Sequence, residues 1–280
     1  MTEQQEKSID EELRELADAV REHLLWQRSC GATGIPPGAV VAPEPEVEPV
    51  PAPRKPAIAI PQFQAPPPPP PVAAEPKRPQ FEVPADLEGR IARLKQLAEE
   101  ASACTRCVLH KQRKQAVFSR GSASTEVMFV GEGPGADEDA QGEPFVGKAG
   151  QLLDKMIVAM GLDREQVYIC NVVKCRPPEN RTPEPEEIAA CLPYLQEQIA
   201  LINPKVIVAL GGTAVKGLLG VQEGITRMRG KWKLYRAAIP VMPTFHPSYL
   251  LRKEDAKRDV WTDLKQVMAQ IGRPVADKKK

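Results

Sequence analysis

The chain has 280 residues and carries Lys+Arg 38 against Asp+Glu 37, a formal net charge of +1. That length bounds it to one or two folded domains, and the overall charge by itself asks for no polyanionic partner. The charge is unevenly placed: residues 1–84 hold 8 basic and 13 acidic side chains, and residues 85–280 hold 30 and 24, so the C-terminal part is mildly basic and open to a polyanion.

No run approaches the ~20 apolar residues of a membrane-spanning helix, and the start MTEQQEKSIDEELRELADAV has acidic residues where a signal peptide needs an apolar core. A cytoplasmic protein without membrane contact is expected. Its six cysteines then read first as metal ligands, because a reducing compartment disfavours a disulfide framework.

Along the chain, residues 8–29 space Ile9, Leu13, Leu16, Ala17, Val20, Leu24 and Leu25 by three and four, which predicts an amphipathic helix within residues 1–30. One helix makes no core, so it docks on the main domain or a partner, or it is only marginally helical. Residues 31–85 form a linker: 18 of the 30 prolines fall within residues 36–84, with residues 66–71 all proline, a composition that favours extended polyproline II over a packed core. A spacer is the favoured reading of that segment.

From Asp86 to residue 272 helices and strands alternate, before a basic tail at 273–280. Asp86 caps a helix with Leu87, Ile91, Leu94, Leu97 and Ala98 on one face. Apolar runs at 126–130, 167–173, 205–210 and 241–244 read as strands, and patterns at 150–160, 185–201, 213–219 and 253–271 as helices. This alternation predicts an α/β domain with a mostly parallel sheet covered on both faces. Ligands of such sheets bind at the carboxyl ends of strands, which would bring residues 131–135, 171–180 and 245–251 to one rim.

Cys104-Thr-Arg-Cys107 is a C-x2-C knuckle at the end of the first of these helices, and Cys175 and Cys191 supply a second pair. Four such thiolates suit a tetrahedral zinc ion or an iron–sulfur cluster, and spacing does not separate the two. Cys170 sits inside an apolar strand as a small hydrophobe, and Cys30 lies at the linker edge. The loop 131–150, GEGPGADEDAQGEPFVGKAG, leaves a strand and enters a helix. Its glycines permit close backbone approach to a ligand, but it lacks the Gly-Lys-Ser/Thr of a P-loop and fails the dinucleotide spacing.

The segments GEGPGADED, GEPFVGKAGQLLDKM, YICNVVKCRPPENRTP and TFHPSYLLR, in this order over about residues 97–270, resemble the motifs of family 4 uracil-DNA glycosylases. The resemblance implies a three-layer α/β/α fold and a four-iron, four-sulfur cluster on Cys104, Cys107, Cys175 and Cys191. It also implies hydrolytic removal of uracil from DNA without a lyase step. Uracil-containing DNA is the implied partner, and a monomer is expected. A base buried in a duplex must be flipped out to be reached, stacked on an aromatic ring and read at its Watson–Crick edge. Phe145 in the Gly/Pro-rich loop fits the stacking platform, with Gly131 and Gly133 allowing close approach. Asn171 presents a donor and an acceptor in one plane, matching uracil and mismatching cytosine.

His246, in His-Pro-Ser after a strand, can donate to uracil O2 as charge develops on the leaving base, whether neutral or protonated. The other two histidines, His23 and His110, read as solvated. A carboxylate near C1′ stabilises the oxocarbenium-like sugar and orients water. In the best-known branch of the superfamily it is an Asp at the position matching Gly133. Here Glu132 and Glu138 are the nominees, with Asn180 orienting Glu138 or His246. The superfamily pattern suggests Leu250 or Leu251 as an apolar wedge in the duplex. Arg227, Arg229, Lys231, Lys233 and Arg236, with Trp232 and Tyr235 interleaved, offer phosphate contacts or a solvated hairpin face. Residues 1–30 would tether a repair or replication protein. Two other functions fit the same residues: a metal-stabilised nucleic-acid-binding module without catalysis, and a glycosylase for another deaminated base.

Overall fold

A computed structural model describes residues 81–273. The chain divides into two units, Met1–Pro70 and Pro71–Lys280. The expected N-terminal helix, nearly all of the linker and most of the basic tail lie outside the described residues.

Asp86 starts helix α1 (Leu87–Ser102), its side chain accepting from Gly89 N–H at 2.6 Å. Only the later part of the expected apolar face packs: Leu94, Leu97 and Ala101 are buried, whereas Leu87 and Ile91 are exposed. Six strands follow: β1 (Ser119–Gly121), β2 (Val127–Gly131), β3 (Tyr168–Asn171), β4 (Val206–Leu210), β5 (Lys233–Tyr235) and β6 (Ile239–Thr244). They form one sheet in the order β1-β3-β2-β4-β6-β5, in which β2, β3, β4 and β6 pair in parallel and the edge strands β1 and β5 antiparallel. The four expected strands are the four parallel ones. The two edge strands were not expected, since three residues are too short to display a period.

The remaining helices are α2 (Ala136–Gln141), α3 (Lys148–Ala159), α4 (Pro185–Ile202), α5 (Gly212–Leu219), α6 (Ile225–Met228), α7 (Pro247–Leu250) and α8 (Lys257–Gln270). The helix expected over 253–271 is a 3-10 turn, Glu254–Ala256, followed by α8. Strand side chains alternate between two cores, as the pleat requires. Met128, Val130, Cys170, Ile207 and Ala209 pack with α1, α4 and α5, while Val127, Phe129, Ile169, Val206 and Val208 pack with α3 and α8. The domain is therefore the expected three-layer α/β/α fold. Its parallel strands all point their carboxyl ends at one rim.

Candidate active site

At that rim lies a cleft of about 690 Å³. The loops after β2, β3 and β6 meet in it: Glu132 to Glu138 and Phe145, then Asn171, Pro177 and Asn180, then Phe245, His246 and Ser248. The sequence reading missed three contributors, namely Gly211-Gly212 after β4, Ile225-Thr226, and Lys148 at the start of α3. A glycine pair directly after the apolar run of β4 was the available signal for the first.

Asn171 is the last residue of β3 and stands opposite Gly131, the last of β2. It is 2 % exposed, and its Oδ1 is buried without a hydrogen-bond partner among the described residues. Gly131 has no room for a side chain: a Cβ there would lie 2.4 Å from Asn171 Oδ1 and 2.5 Å from Phe145 Cζ. Phe145 is 5 % exposed and has φ 56°, a left-handed conformation that a bulky residue adopts only under constraint. Its ring still forms part of the cleft wall, 5.6 Å from the His246 ring at an interplanar angle of 31°. Gly133 also lines the cleft, and a Cβ on it would meet Val173 Cγ2 at 2.7 Å. An aspartate at this position would therefore require Val173 to shift.

His246 N-caps α7. Its Nδ1 accepts the Ser248 main-chain N–H at 3.1 Å and lies 2.8 Å from Ser248 Oγ. An N–H can only donate, so Nδ1 carries no proton and the ring is the neutral tautomer with hydrogen on Nε2. Burial, assisted by the positive charge of Arg252, lowers the His246 pKa to about 4. The sequence left neutral and protonated imidazole open; the structure selects the neutral form.

The acidic residues of the loop separate by what they bind. Glu138 Oε2 accepts from Gly135 N–H at 3.0 Å, and its Oε1 accepts from Val146 N–H at 3.1 Å and Gly147 N–H at 3.0 Å. Its oxygens bind main-chain donors at the two ends of the loop carrying Phe145, so Glu138 clamps that loop. Asp139 is buried and accepts from Lys114 N–H at 2.9 Å. Glu132 lines the cleft with Oε2 accepting from the Thr213 hydroxyl, which leaves its Oε1 for a further partner. Asn180 also lines the cleft, and its Oδ1 accepts from Arg176 Nε at 2.7 Å.

The two wedge nominees separate as well. Leu250 is 1 % exposed and packed in the core with α3 and α8, which excludes it from entering a duplex, whereas Leu251 is 47 % exposed. In the basic run, Arg229 is engaged inward: it donates to Asp263 Oδ1 and to Asp259 O at 2.6 Å each. Arg227, Lys231 and Arg236 are exposed, as are Lys148 and Arg252 at the cleft.

Cys104, Cys107, Cys175 and Cys191 line a second, small cavity together with Arg106, His110, Arg113, Lys174 and Tyr194. Three of the sulfurs receive N–H donors: Cys104 from Arg106 Nε at 3.4 Å, Cys175 from Arg113 Nη1 at 3.1 Å, and Cys191 from Lys174 N–H at 3.3 Å. Such donors stabilise thiolate charge. Without a metal, burial pushes the Cys191 thiol up to about 11. Four thiolates suit a zinc ion and an iron–sulfur cluster alike. The donor set fits the cluster. Cys170 lies apart in β3, fully buried, and His110 is half-buried with Nδ1 donating to Cys107 O at 2.7 Å.

Residues 118–265 match the family profile described as the uracil DNA glycosylase superfamily, more than half of the chain. A type-4 uracil-DNA glycosylase of Thermotoga maritima is 49% identical over 178 residues, covering 62% of this chain and 93% of the relative. One from Sulfurisphaera tokodaii is 45% identical over 182 residues, 62% of this chain and 83% of the relative. A type-5 uracil-DNA glycosylase of Pyrobaculum aerophilum is 32% identical over 146 residues, 46% of this chain and 64% of the relative.

Proposed function

The chain belongs to the uracil DNA glycosylase superfamily, among its type-4 members, and we propose that its cleft hydrolyses the N-glycosidic bond of deoxyuridine in DNA, releasing uracil and leaving an abasic site. The observation that carries this reading is the buried, unpartnered Oδ1 of Asn171 beside the Phe145 ring. A buried acceptor without a donor is costly unless a ligand supplies one. Uracil N3–H is such a donor, and uracil O4 accepts in return from the Asn171 amide; cytosine inverts both groups.

In the proposed mechanism the flipped uracil stacks on Phe145 and is read by Asn171. The His246 Nε2–H donates to uracil O2, a bond that strengthens as the leaving base gains negative charge. The Glu132 carboxylate, steadied by Thr213, faces the oxocarbenium-like sugar and accepts a proton from the attacking water. Water oxygen bonds to C1′ as the C1′–N1 bond breaks, and the bonding pair leaves with uracil. The exposed Leu251 is the side chain available to fill the gap in the duplex, and Lys148, Arg227, Lys231 and Arg252 are free to reach phosphates.

Cys104, Cys107, Cys175 and Cys191 hold a four-iron, four-sulfur cluster that joins α1, α4 and the segment after β3, and its role is structural. Residues 1–30 tether a repair or replication partner. The reading is tested by incubating the protein with a uracil-containing oligonucleotide: free uracil and an alkali-labile abasic site are expected, and an intact strand with bound protein marks a non-catalytic module.

A further inference from the structure

Lys174 lies between the two centres and is 1 % exposed. It is the one buried lysine among the described residues. Its Nζ donates to the main-chain carbonyl of Asn171 at 2.7 Å and to Gln198 Oε1 at 2.6 Å, and lies 5.6 Å from the centroid of the Phe118 ring. Gln198, on α4, is itself fully buried and donates to the Tyr168 hydroxyl at 2.9 Å and to Phe118 O at 3.3 Å. The segment from Asn171 to Cys175 is thereby pinned at successive residues. Val172 N–H donates to Gly131 O at 3.0 Å, Val173 N–H to Glu132 O at 3.1 Å, and Lys174 N–H to Cys191 Sγ.

A buried amino group is expensive to desolvate and is retained where apolar packing cannot do its work. Strand β3 ends at Asn171, and Lys174 Nζ donates to the Asn171 carbonyl at that end. We propose that Lys174 is a positioning residue for base recognition: its amino group, held by Gln198, fixes the Asn171 main chain so that the Asn171 amide meets the uracil edge in the plane set by Phe145. This rests on the reading of the cleft as the uracil site. The side chain acts on the base reader and the main-chain N–H acts on Cys191, so the two effects are separable by substitution.

The experiment is a double-mutant cycle on the full chain, with single-turnover uracil excision as readout. Lys174→Met should reduce the rate about tenfold or more in the wild-type background and about twofold or less in an Asn171→Ala background, because its effect is routed through Asn171. Metal content per chain should match wild type, since the bond to Cys191 uses the main chain. Losses that multiply in the two backgrounds, or a loss accompanied by loss of metal, would overturn the proposal. Where Lys174→Met does not fold, Gln198→Met, which removes the second acceptor of the amino group, enters the same cycle and must show the same non-additivity. Wild-type protein without uracil release would instead overturn the functional reading, which keeps the two failures distinct.

Discussion

Gly131 and Asn171 are register partners at the ends of adjacent parallel strands, and the glycine's missing side chain is the space that the asparagine amide and the Phe145 ring share. A methyl group at Gly131 meets Asn171 Oδ1 and Phe145 Cζ well inside van der Waals contact. Gly131→Ala is therefore expected to slow uracil excision by about 10- to 100-fold through misplacement of the base reader and its platform. Steady-state kinetics would show this mainly in kcat/KM, and an unchanged value contradicts the assignment.

Glu138 is expected to behave as a clamp. Glu138→Gln keeps the size but turns an amide group toward main-chain N–H donors, so it should cost about 1–3 kcal/mol of stability, with a matching loss of activity from a loosened Phe145 loop. Chemical denaturation and excision rates measured on the same preparation separate the roles. A rate fall beyond about 100-fold at unchanged stability would return Glu138 to the chemistry.

The pH dependence follows from His246. Its folded pKa of about 4 lies below the ordinary value of 6.5, so the unfolded chain takes up the proton first as pH falls. The stability this neutral histidine contributes is complete above about pH 6.5 and declines toward pH 4, by up to about 3 kcal/mol. Thermal melts at pH 7 and pH 4.5 should differ less for His246→Asn than for wild type. Single-turnover rates should show no titration of this group between about pH 5 and 8, and a rate that rises with protonation near pH 6.5 would contradict the neutral tautomer.

Much of this site was legible in the sequence because its residues sit where an apolar run stops. Asn171 is the polar residue within the strand pattern expected over 167–173 and His246 follows another, and a parallel sheet gathers such positions at a single rim. What was not legible depends on contacts between distant segments. The three main-chain donors on Glu138 come from both ends of a loop, so nothing in GADED distinguishes a clamp from a base. Leu250 and Leu251 are neighbours of identical composition, and only the short helix α7 decides that the first points into the core. Lys174, in a run that otherwise reads as strand end and cysteine motif, has its acceptors on β3 and α4.

The cysteine centre is expected to bind iron. Purified protein should be brown, with broad absorption near ~400 nm. Cys191→Ala should lose both the colour and much of the stability, since metal binding is coupled to folding. Cys170→Ala should keep the metal, because that thiol packs inside β3. A colourless protein holding one zinc per chain contradicts the cluster.

The central claim, that the Asn171 amide reads uracil in this cleft, is tested most directly by one comparison. Wild type and Asn171→Asp are each incubated in excess with oligonucleotides carrying a single uracil or a single cytosine, and the free base released is quantified. Wild type should release uracil and no cytosine. Asn171→Asp should lose uracil activity by at least about 100-fold, and any cytosine release should appear in this variant first, since a carboxylate accepts from the cytosine amine. Wild-type uracil activity in Asn171→Asp would contradict the account and move base recognition away from the end of β3.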